Sequence, residues 1–246
     1  IKKTKVKLLG FEVNTISNTT NWPKKKLEAF CQLEYPRGLQ DLQIQLASCK
    51  YFSSYLPRLS DAVSVLSQML RTKVFKWSIL EQRSFYHLRT LCETGMELSL
   101  PDPTKRYYLF TDASYVACSC FLATICQLKK ELQYISADSH CFSKAETSSY
   151  VFTKEVIGVT FGLSKNQGTL YNSMSGIRCL SDVKSIQYLY RGKSWCSKVA
   201  HCAGFMSRFV PYDLQIIWLQ GRLNYLADIS SRRWRQLVTT EREFHT

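Results

Sequence analysis

The spacing of apolar residues along the chain changes near residue 101 and divides the sequence into two parts. In the first part, apolar residues recur mainly at helical spacing, with polar and basic residues between them. Its predicted elements are a strand or hairpin at Lys5–Val13 around Gly10, a polar turn at Asn18–Pro23, and helices that begin at Lys24, at Leu39, at Asp61 and after Trp77.

Pro101-Asp102-Pro103 is a predicted linker, because prolines interrupt regular structure. After it, short apolar runs alternate with helical patterns. Strands are predicted at Tyr107–Asp112, Val116–Ile125, Leu132–Ser136, Ile177–Ser181 and Leu214–Leu219, and helices at Lys144–Leu163, Val183–Tyr190, Ser197–Phe209 and Ala227–Leu237. Three consecutive strands followed by alternating helices and strands predict an α/β fold with a five-stranded mixed sheet flanked by helices.

The chain is strongly basic. It has 33 Lys and Arg against 19 Asp and Glu, a formal net charge of +14 at pH 7, and the excess is shared evenly by the two parts. This distribution predicts a polyanionic partner that is contacted along the whole protein, for which nucleic acid is the obvious candidate. A protein that is basic without such a partner is the alternative.

The ten cysteines and four histidines form no recognisable metal-binding pattern. No Cys-x-x-Cys pair occurs, and no histidine lies at zinc-finger spacing from a cysteine. The cysteines are therefore predicted to be reduced core residues of an intracellular protein. No long apolar run or signal-peptide pattern is present, so no membrane segment is predicted. The sequence begins without Met, and it is interpreted as a piece of a longer protein.

Four acidic residues lie where the predicted elements would bring chain segments together. Asp112 ends the first strand of the second part, Glu155 lies inside its first long helix, Asp182 ends the fourth strand, and Asp228 begins the last helix. Clustered carboxylates supply the hard oxygen ligands that Mg²⁺ prefers. Two such ions about 4 Å apart can activate a water molecule and stabilise the leaving oxygen of a phosphodiester.

Glu155 is the most informative of the four acids. It shares a helix face with the apolar residues Phe152, Val156, Val159 and Leu163. It is therefore predicted to point toward the sheet, where an unpaired carboxylate is costly and where a metal ion would remove the cost.

Each acid alone also fits a structural role. Asp182 and Asp228 could cap helices, and Asp112 before Ala113-Ser114 could be a turn residue. Glu155 could be a salt-bridged helix acid beside Lys154. The set favours metal binding because order, element and flanking residues agree for all four acids.

These flanking residues resemble reverse transcriptases of gypsy-type LTR retrotransposons. In the first part, Leu8-Leu9-Gly10-Phe11 is similar to the primer grip at the palm–thumb hairpin, and segments 23–27, 42–60 and 75–85 are similar to the thumb and connection. In the second part, segments 111–114, 139–146, 153–155, 181–184 and 221–232 follow the ribonuclease H (RNase H) pattern in order. The last of these is close to the family's Gly-x-x-Asn-x-x-Ala-Asp-x-x-Ser-Arg and is the most specific.

The resemblance implies a domain order. Residues 1–100 would hold the palm-end hairpin, thumb and connection, residues 104–238 an RNase H-like domain, and residues 239–246 a tail. The polymerase fingers and palm would lie upstream in the same Pol polyprotein, which would act in the cytoplasm and in virus-like particles. No two adjacent Asp residues occur in this chain, so it cannot polymerise DNA alone.

The resemblance also implies an activity and a site. Asp112, Glu155, Asp182 and Asp228 would hold two Mg²⁺ ions, with Mn²⁺ as a substitute, and would hydrolyse the RNA strand of RNA–DNA hybrids. Residues implied to contact nucleic acid are Lys24, Lys25, Lys26, Gly10, Phe11, Ser139 and Arg232. The chain departs from the family at Val183, where a histidine is usual. Residues 218–221 contain no histidine, as is usual in the gypsy-type class, whereas cellular RNases H have one in this loop.

Two other functions are weighed against this one. A decayed or domesticated remnant would bind nucleic acid without cutting it, although the intact acids argue against that interpretation. An integrase-like DNA nuclease would share the metal chemistry, but the chain lacks the spacing of that family's third acid and its zinc-binding arm.

Overall fold

The computed structural model describes residues 4–8, 10–21, 32, 34–57, 59–93, 95–126, 131–188 and 196–219. The strands are β1 (Lys5–Leu8), β2 (Phe11–Asn14), β3 (Thr19–Asn21), β4 (Leu98–Ser99), β5 (Tyr107–Ala113), β6 (Ala117–Cys126), β7 (Glu131–Cys141), β8 (Ile177–Ser181) and β9 (Leu214–Trp218). The helices are α1 (Leu39–Tyr51), α2 (Leu59–Thr72), α3 (Ile79–Glu93), α4 (Lys144–Thr147), α5 (Val151–Lys165), α6 (Gln167–Leu170) and α7 (Ser197–Met206). Short 3₁₀ helices cover Ser53–Tyr55, Lys184–Tyr188 and Ser207–Tyr212.

The strands form two sheets. One has the order β1-β2-β3-β4, and its pairings are antiparallel. The other has the order β7-β6-β5-β8-β9, with β8 parallel to both β5 and β9. The predicted five-stranded mixed sheet with flanking helices is therefore confirmed.

The chain forms two compact units. The first unit takes its described residues from 1–102 and 123–141, and the second takes them from 103–122 and 142–246.

In the first unit, helices α1–α3 share one hydrophobic core. Helix α2 forms because its apolar residues recur every three or four positions, which places Leu59, Ala62, Leu66 and Met69 on one buried face. Buried residues of α3, including Phe85 and Leu88, pack against the same core, and Tyr134 of β7 packs at its edge. The predicted helical character of this region is thus found where the residues are described.

One prediction in this unit is wrong. The sequence predicted a polar turn at Asn18–Pro23, but Thr19–Asn21 form strand β3, which pairs with β2. The turn lies earlier, where the Asn14 side chain accepts hydrogen bonds from the N–H groups of Ile16 and Ser17, at 3.0 and 3.3 Å. Threonine favours strands because its branched side chain fits a pleated surface, and here the sheet supplies a partner.

In the second unit, α5 packs on β5 and on α7. The apolar residues Val156, Val159 and Leu163 are fully buried, as the stripe predicted. The predicted single helix at Lys144–Leu163 is wrong, because α4 and α5 are separate helices. Ser143 and Glu146 form a reciprocal capping box that begins α4, and Tyr150 has an extended backbone that begins α5.

Several predicted features lie outside the described residues: the helix beginning at Lys24, the helix at 227–237 and the tail at 239–246. Nine of the ten cysteines are described, and six of these nine are buried, in line with the predicted core positions. Among the described residues, no helix has the length and apolar character needed to cross a membrane.

Candidate metal centre

Two of the predicted acids lie at the ends of neighbouring parallel strands. Strands β5 and β8 pair in register, with Phe110 opposite Leu180. Asp112 and Asp182 each come two residues after this pair, so both reach the same edge of the sheet. The Thr111 hydroxyl strengthens the pairing there by donating to the backbone oxygen of Leu180 at 3.2 Å.

Glu155 approaches this edge from helix α5. Only 2% of the residue is exposed, which confirms the predicted inward orientation. Two glycines let the helix lie close to the sheet. A Cβ at Gly158 would lie 3.4 Å from the Cβ of Cys118, and a Cβ at Gly162 would lie 3.0 Å from the Cβ of Cys120. Larger residues at these positions would push the helix, and Glu155 with it, away from the strands.

The three acids form one cluster. A carboxylate oxygen of Asp112, one of Glu155 and one of Asp182 all lie within 4.8 Å of one another. Glu155 is buried, Asp112 is half-buried and Asp182 is exposed, so the cluster opens to solvent on the Asp182 side. The structure therefore brings together three of the four predicted acids. The fourth, Asp228, lies outside the described residues.

The environment of Glu155 opposes its ionisation. Burial, followed by the nearby charges of Asp182 and Asp112, raises the pKa of Glu155 to about 9. The N–H of Ala113, which donates to Oε1 of Glu155 at 3.2 Å, and the Ser181 hydroxyl lower this pKa, but they do not offset the increase. A positive ion among the three carboxylates would oppose this increase, because it stabilises the charged form of Glu155.

Glu155 is not paired with Lys154. The Lys154 ammonium instead donates to the backbone oxygen of Tyr115 at 3.3 Å and lies 4.4 Å from the centre of the Tyr115 ring. The other oxygen of Glu155, Oε2, is buried without a hydrogen-bond partner among the described residues. The alternative of a salt-bridged helix acid is therefore not supported.

The donor set fits a divalent cation. Three carboxylates within ligand-sharing distance, one of them buried with an unpartnered oxygen, match the oxygen-only coordination of Mg²⁺ or Mn²⁺. Histidine or cysteine ligands for a softer metal are absent from this described cluster.

The other predicted site residues fall into two groups. Lys24, Lys25, Lys26 and Arg232 lie outside the described residues. Gly10 adopts φ +87° in the turn between β1 and β2, a conformation that favours glycine. The Phe11 ring stacks on Tyr55 and Tyr51, with ring centres 5.4 and 5.6 Å apart. Contact of Gly10 and Phe11 with nucleic acid stays a prediction.

Ser139 has a contact within the first unit. Its hydroxyl accepts a hydrogen bond of 2.8 Å from the N–H of Ser60, in the first turn of α2. Contact of Ser139 with nucleic acid also stays a prediction.

Sequence reasoning missed the residues that surround the acids. Lys154 contacts Tyr115 in the segment after Asp112. Trp218 contacts the other aspartate, because its indole N–H donates to the backbone oxygen of Asp182 at 2.9 Å. No local pattern indicates these contacts. The start of α4, by contrast, could have been predicted from the sequence, because Ser143-x-x-Glu146 matches the pattern of a capping box.

With this geometry established, comparison with known proteins identifies the relatives. The model of the RNase H-like domain found in reverse transcriptases matches residues 77–177. The matched segment includes α3 as well as the strand and helix that carry Asp112 and Glu155.

Most of the chain is similar in sequence to retrotransposon Pol polyproteins. It is 22% identical over 210 residues to the retrovirus-related Pol polyprotein from transposon 412 of Drosophila melanogaster, covering 85% of this chain and 16% of that protein. It is 22% identical over 235 residues to the transposon Tf2-3 polyprotein of Schizosaccharomyces pombe, covering 94% of this chain and 17% of that protein. The chain therefore spans about a sixth of each of these relatives. The gypsy-type subclass stays a prediction.

Solved reverse transcriptase structures share the fold. The foamy viral protease-reverse transcriptase dRH in complex with double-stranded DNA matches with a TM-score of 0.71 and 16% identity, over 87% of this chain and 38% of that chain. The foamy viral protease-reverse transcriptase in complex with an RNA/DNA hybrid matches with a TM-score of 0.70 and 16% identity, over 88% of this chain and 29% of that chain.

Proposed function

We propose that this chain is the RNase H portion of a retrotransposon reverse transcriptase and that it hydrolyses the RNA strand of RNA–DNA hybrids in a metal-dependent reaction. The proposed products carry a 3′-hydroxyl and a 5′-phosphate. The observation that supports this proposal most strongly is the cluster of Asp112, Glu155 and Asp182 within an RNase H-like domain.

In the proposed mechanism, the carboxylates of Asp112, Glu155, Asp182 and Asp228 would hold two Mg²⁺ ions, with Asp112 contributing to both. Bound metal would supply activation of a water molecule and stabilisation of the leaving 3′ oxygen. The protein contributes by fixing the positions of the carboxylates. Helix α5 fixes Glu155 from one side, and the adjacent strand ends fix Asp112 and Asp182 from the other. The open Asp182 side leaves access for the scissile phosphate.

The substrate proposal rests on charge and on relatives. A net charge of +14 suits the backbone of a nucleic acid, and one solved structural neighbour is named as a complex with an RNA/DNA hybrid. Lys24, Lys25 and Lys26 are proposed to contact phosphates, which supply affinity but little sequence preference. The 2′-hydroxyls of the RNA strand would distinguish it from DNA. The polymerase palm and fingers are proposed to lie upstream in the same polyprotein.

The alternative is a remnant that binds hybrid without cutting it. Such a protein would have no need to keep a buried glutamate beside two aspartates, because this arrangement raises the pKa of Glu155 and costs stability. The intact cluster therefore favours the nuclease.

The test is Asp112→Asn, measured with a labelled RNA–DNA hybrid in Mg²⁺. Asparagine keeps the size of the side chain but removes the charge that both ions require. Cleavage is expected to fall by several orders of magnitude, while hybrid binding survives because other residues contact the phosphates.

Melting curves of Asp112→Asn complete the test. The metal-free variant is expected to melt at or above the wild-type temperature, because the repulsion between the clustered carboxylates is reduced. A variant that melts normally and cuts hybrid at the wild-type rate would end the nuclease proposal. A lower melting temperature with joint loss of binding and cleavage would assign Asp112 a structural role instead.

A further inference from the structure

The two aspartates of the cluster stand on backbone segments that are each held by a side chain outside the cluster. Residues 113–116 connect β5 to β6 directly after Asp112. Residues 182–183 follow β8 and include Asp182. Because a metal site needs its ligands fixed to within a fraction of an ångström, whatever holds these segments affects metal binding.

Consecutive residues of α5 hold the segment after Asp112 at two points. Glu155 accepts a hydrogen bond from the N–H of Ala113 at 3.2 Å, and Lys154 donates to the backbone oxygen of Tyr115 at 3.3 Å. The Lys154 ammonium also lies 4.4 Å from the centre of the Tyr115 ring. Lys154 is only 6% exposed, whereas Tyr115 is 73% exposed. A buried ammonium needs partners, and both of these partners belong to the segment that follows Asp112.

A second pair holds the segment of Asp182. The indole N–H of Trp218 donates to the backbone oxygen of Asp182 at 2.9 Å. The Lys184 ammonium lies 5.6 Å from the centre of the Trp218 ring. A backbone hydrogen bond links the same two segments, because the N–H of Leu219 donates to the backbone oxygen of Ser181 at 2.9 Å. Asp182 is therefore flanked by a lysine–aromatic pair, as Asp112 is.

We propose that Lys154 and Trp218 are positioning residues, which fix the backbones that carry Asp112 and Asp182 so that the cluster binds divalent metal. This inference rests on the proposed function, because it assigns these contacts to the same metal site. Neither residue is proposed to touch the metal or the substrate.

Replacing Lys154 distinguishes a positioning role from a purely electrostatic role, because the two roles predict different changes in metal affinity. Removing a positive charge from the residue next to Glu155 in sequence would not by itself weaken the binding of a metal cation. Removing the hydrogen bond and the ring contact would weaken it, because the segment after Asp112 would move more freely. Substitutions of residues that orient metal ligands typically weaken metal affinity about 10–100-fold.

The experiment measures Mn²⁺ binding to the full chain by isothermal titration calorimetry, together with hydrogen exchange of residues 113–116 in metal-free protein. Lys154→Met is expected to weaken Mn²⁺ binding about 10–100-fold and to speed exchange of this segment. Lys154→Arg is expected to retain most of the wild-type affinity. Trp218→Phe keeps the ring beside Lys184 but removes the N–H donor, and it is expected to weaken Mn²⁺ binding about tenfold.

Lys165→Met is the matched control. Lys165 lies over the Phe161 ring at 5.8 Å, on the same helix but without a contact to the acid-bearing segments among the described residues. This control is expected to bind Mn²⁺ like the wild type. Should Lys154→Met fail to fold, Tyr115→Ala decides, because it removes an exposed ring and is expected to speed exchange of residues 113–116.

Each result has a defined meaning. Unchanged or tighter Mn²⁺ binding by Lys154→Met, or unchanged exchange of residues 113–116, would overturn the positioning role. If the wild type bound no Mn²⁺, the proposed nuclease function would fail, and hydrogen exchange alone would then decide whether Lys154 holds the segment.

Discussion

The hydroxyl of Ser139, on β7, caps the first turn of α2 by accepting a hydrogen bond of 2.8 Å from the N–H of Ser60. The thiol of Cys141, two residues later on the same strand, donates to the backbone oxygen of Ser60 at 3.1 Å. A strand thus supplies the cap that a helix usually receives from a residue next to it in sequence.

This contact predicts the effect of Ser139→Ala. Loss of the cap is expected to lower the free energy of unfolding by about 0.5–2 kcal/mol, measured by urea denaturation. Hybrid affinity is expected to stay at the wild-type value, because the hydroxyl is already used inside the first unit. Ser139→Thr, which retains a hydroxyl, is the control. Lower hybrid affinity with unchanged stability would support the nucleic-acid contact predicted from the sequence.

Glu155 predicts how stability depends on pH in the absence of metal. Its ordinary pKa is 4.5, and burial with the charges of Asp182 and Asp112 raises the pKa to about 9 in the folded protein. Between these values, the folded state keeps a proton that the unfolded state has released. The contribution of Glu155 to the free energy of unfolding therefore falls as the pH rises from 4.5 to about 9.

Glu155→Gln removes this titration. The variant is expected to be more stable than wild type at pH 8 without metal by at least about 1.4 kcal/mol, the equivalent of one pKa unit, because glutamine is neutral there without binding a proton. The difference is expected to disappear near pH 4 and to shrink when Mg²⁺ is added, because metal stabilises only the wild type. Thermal melts across pH, with and without Mg²⁺, measure this. Equal stabilities at every pH would contradict the described environment of Glu155.

The close contact at Gly162 predicts a loss of both stability and metal affinity. In Gly162→Ala, the new Cβ would lie 3.0 Å from the Cβ of Cys120 and 3.2 Å from a methyl carbon of Leu109. Overpacking of this kind costs about 1–3 kcal/mol, while the better helix propensity of alanine returns up to about 1 kcal/mol. We expect a net destabilisation of about 1–2 kcal/mol and weaker Mn²⁺ binding, as α5 shifts Glu155 away from the strands.

Gly204→Ala is the matched control for this substitution. Gly204 lies in α7, and a Cβ there would meet nothing within 4 Å. This substitution is expected to raise stability by about 0.5–1 kcal/mol without changing Mn²⁺ affinity. If the two alanine variants behaved alike, the close packing of α5 on the sheet would not be what positions Glu155.

The charge of the chain predicts salt-sensitive binding of RNA–DNA hybrid. Affinity is expected to fall steeply as salt rises, because several phosphates are neutralised. Replacing Lys24, Lys25 and Lys26 together by alanine is expected to lower affinity and to reduce the slope against log salt by about 0.9 for each phosphate that is no longer neutralised. Lys165→Ala serves as the control for removal of charge elsewhere. A flat response to salt, or a triple variant that binds like wild type, would argue against these phosphate contacts.

The sequence was sufficient to predict the placement of site residues that depends on local periodicity. The inward direction of Glu155 follows from its place on an apolar helix face, and the strand ends at Asp112 and Asp182 follow from the apolar runs before them. It was insufficient where the partner is distant. Strand β3 pairs with Leu98, 78 residues beyond Thr20. The positions of Lys154 and Trp218 likewise depend on packing, which a pattern along one segment does not contain.

The pairing of β5 with β8 has a consequence for synthesis of the protein on the ribosome. Tyr107 lies opposite Ile177, so paired positions on the two strands that present Asp112 and Asp182 are 70 residues apart in sequence. Contacts this far apart in sequence form late, since the intervening chain must first be made and ordered. A nascent or prematurely ended chain that stops before residue 177 therefore holds Asp112 and Glu155 without their third carboxylate. Under the proposed function, hydrolytic activity would arise only after translation has passed residue 182, which would keep incomplete polyproteins from cutting RNA.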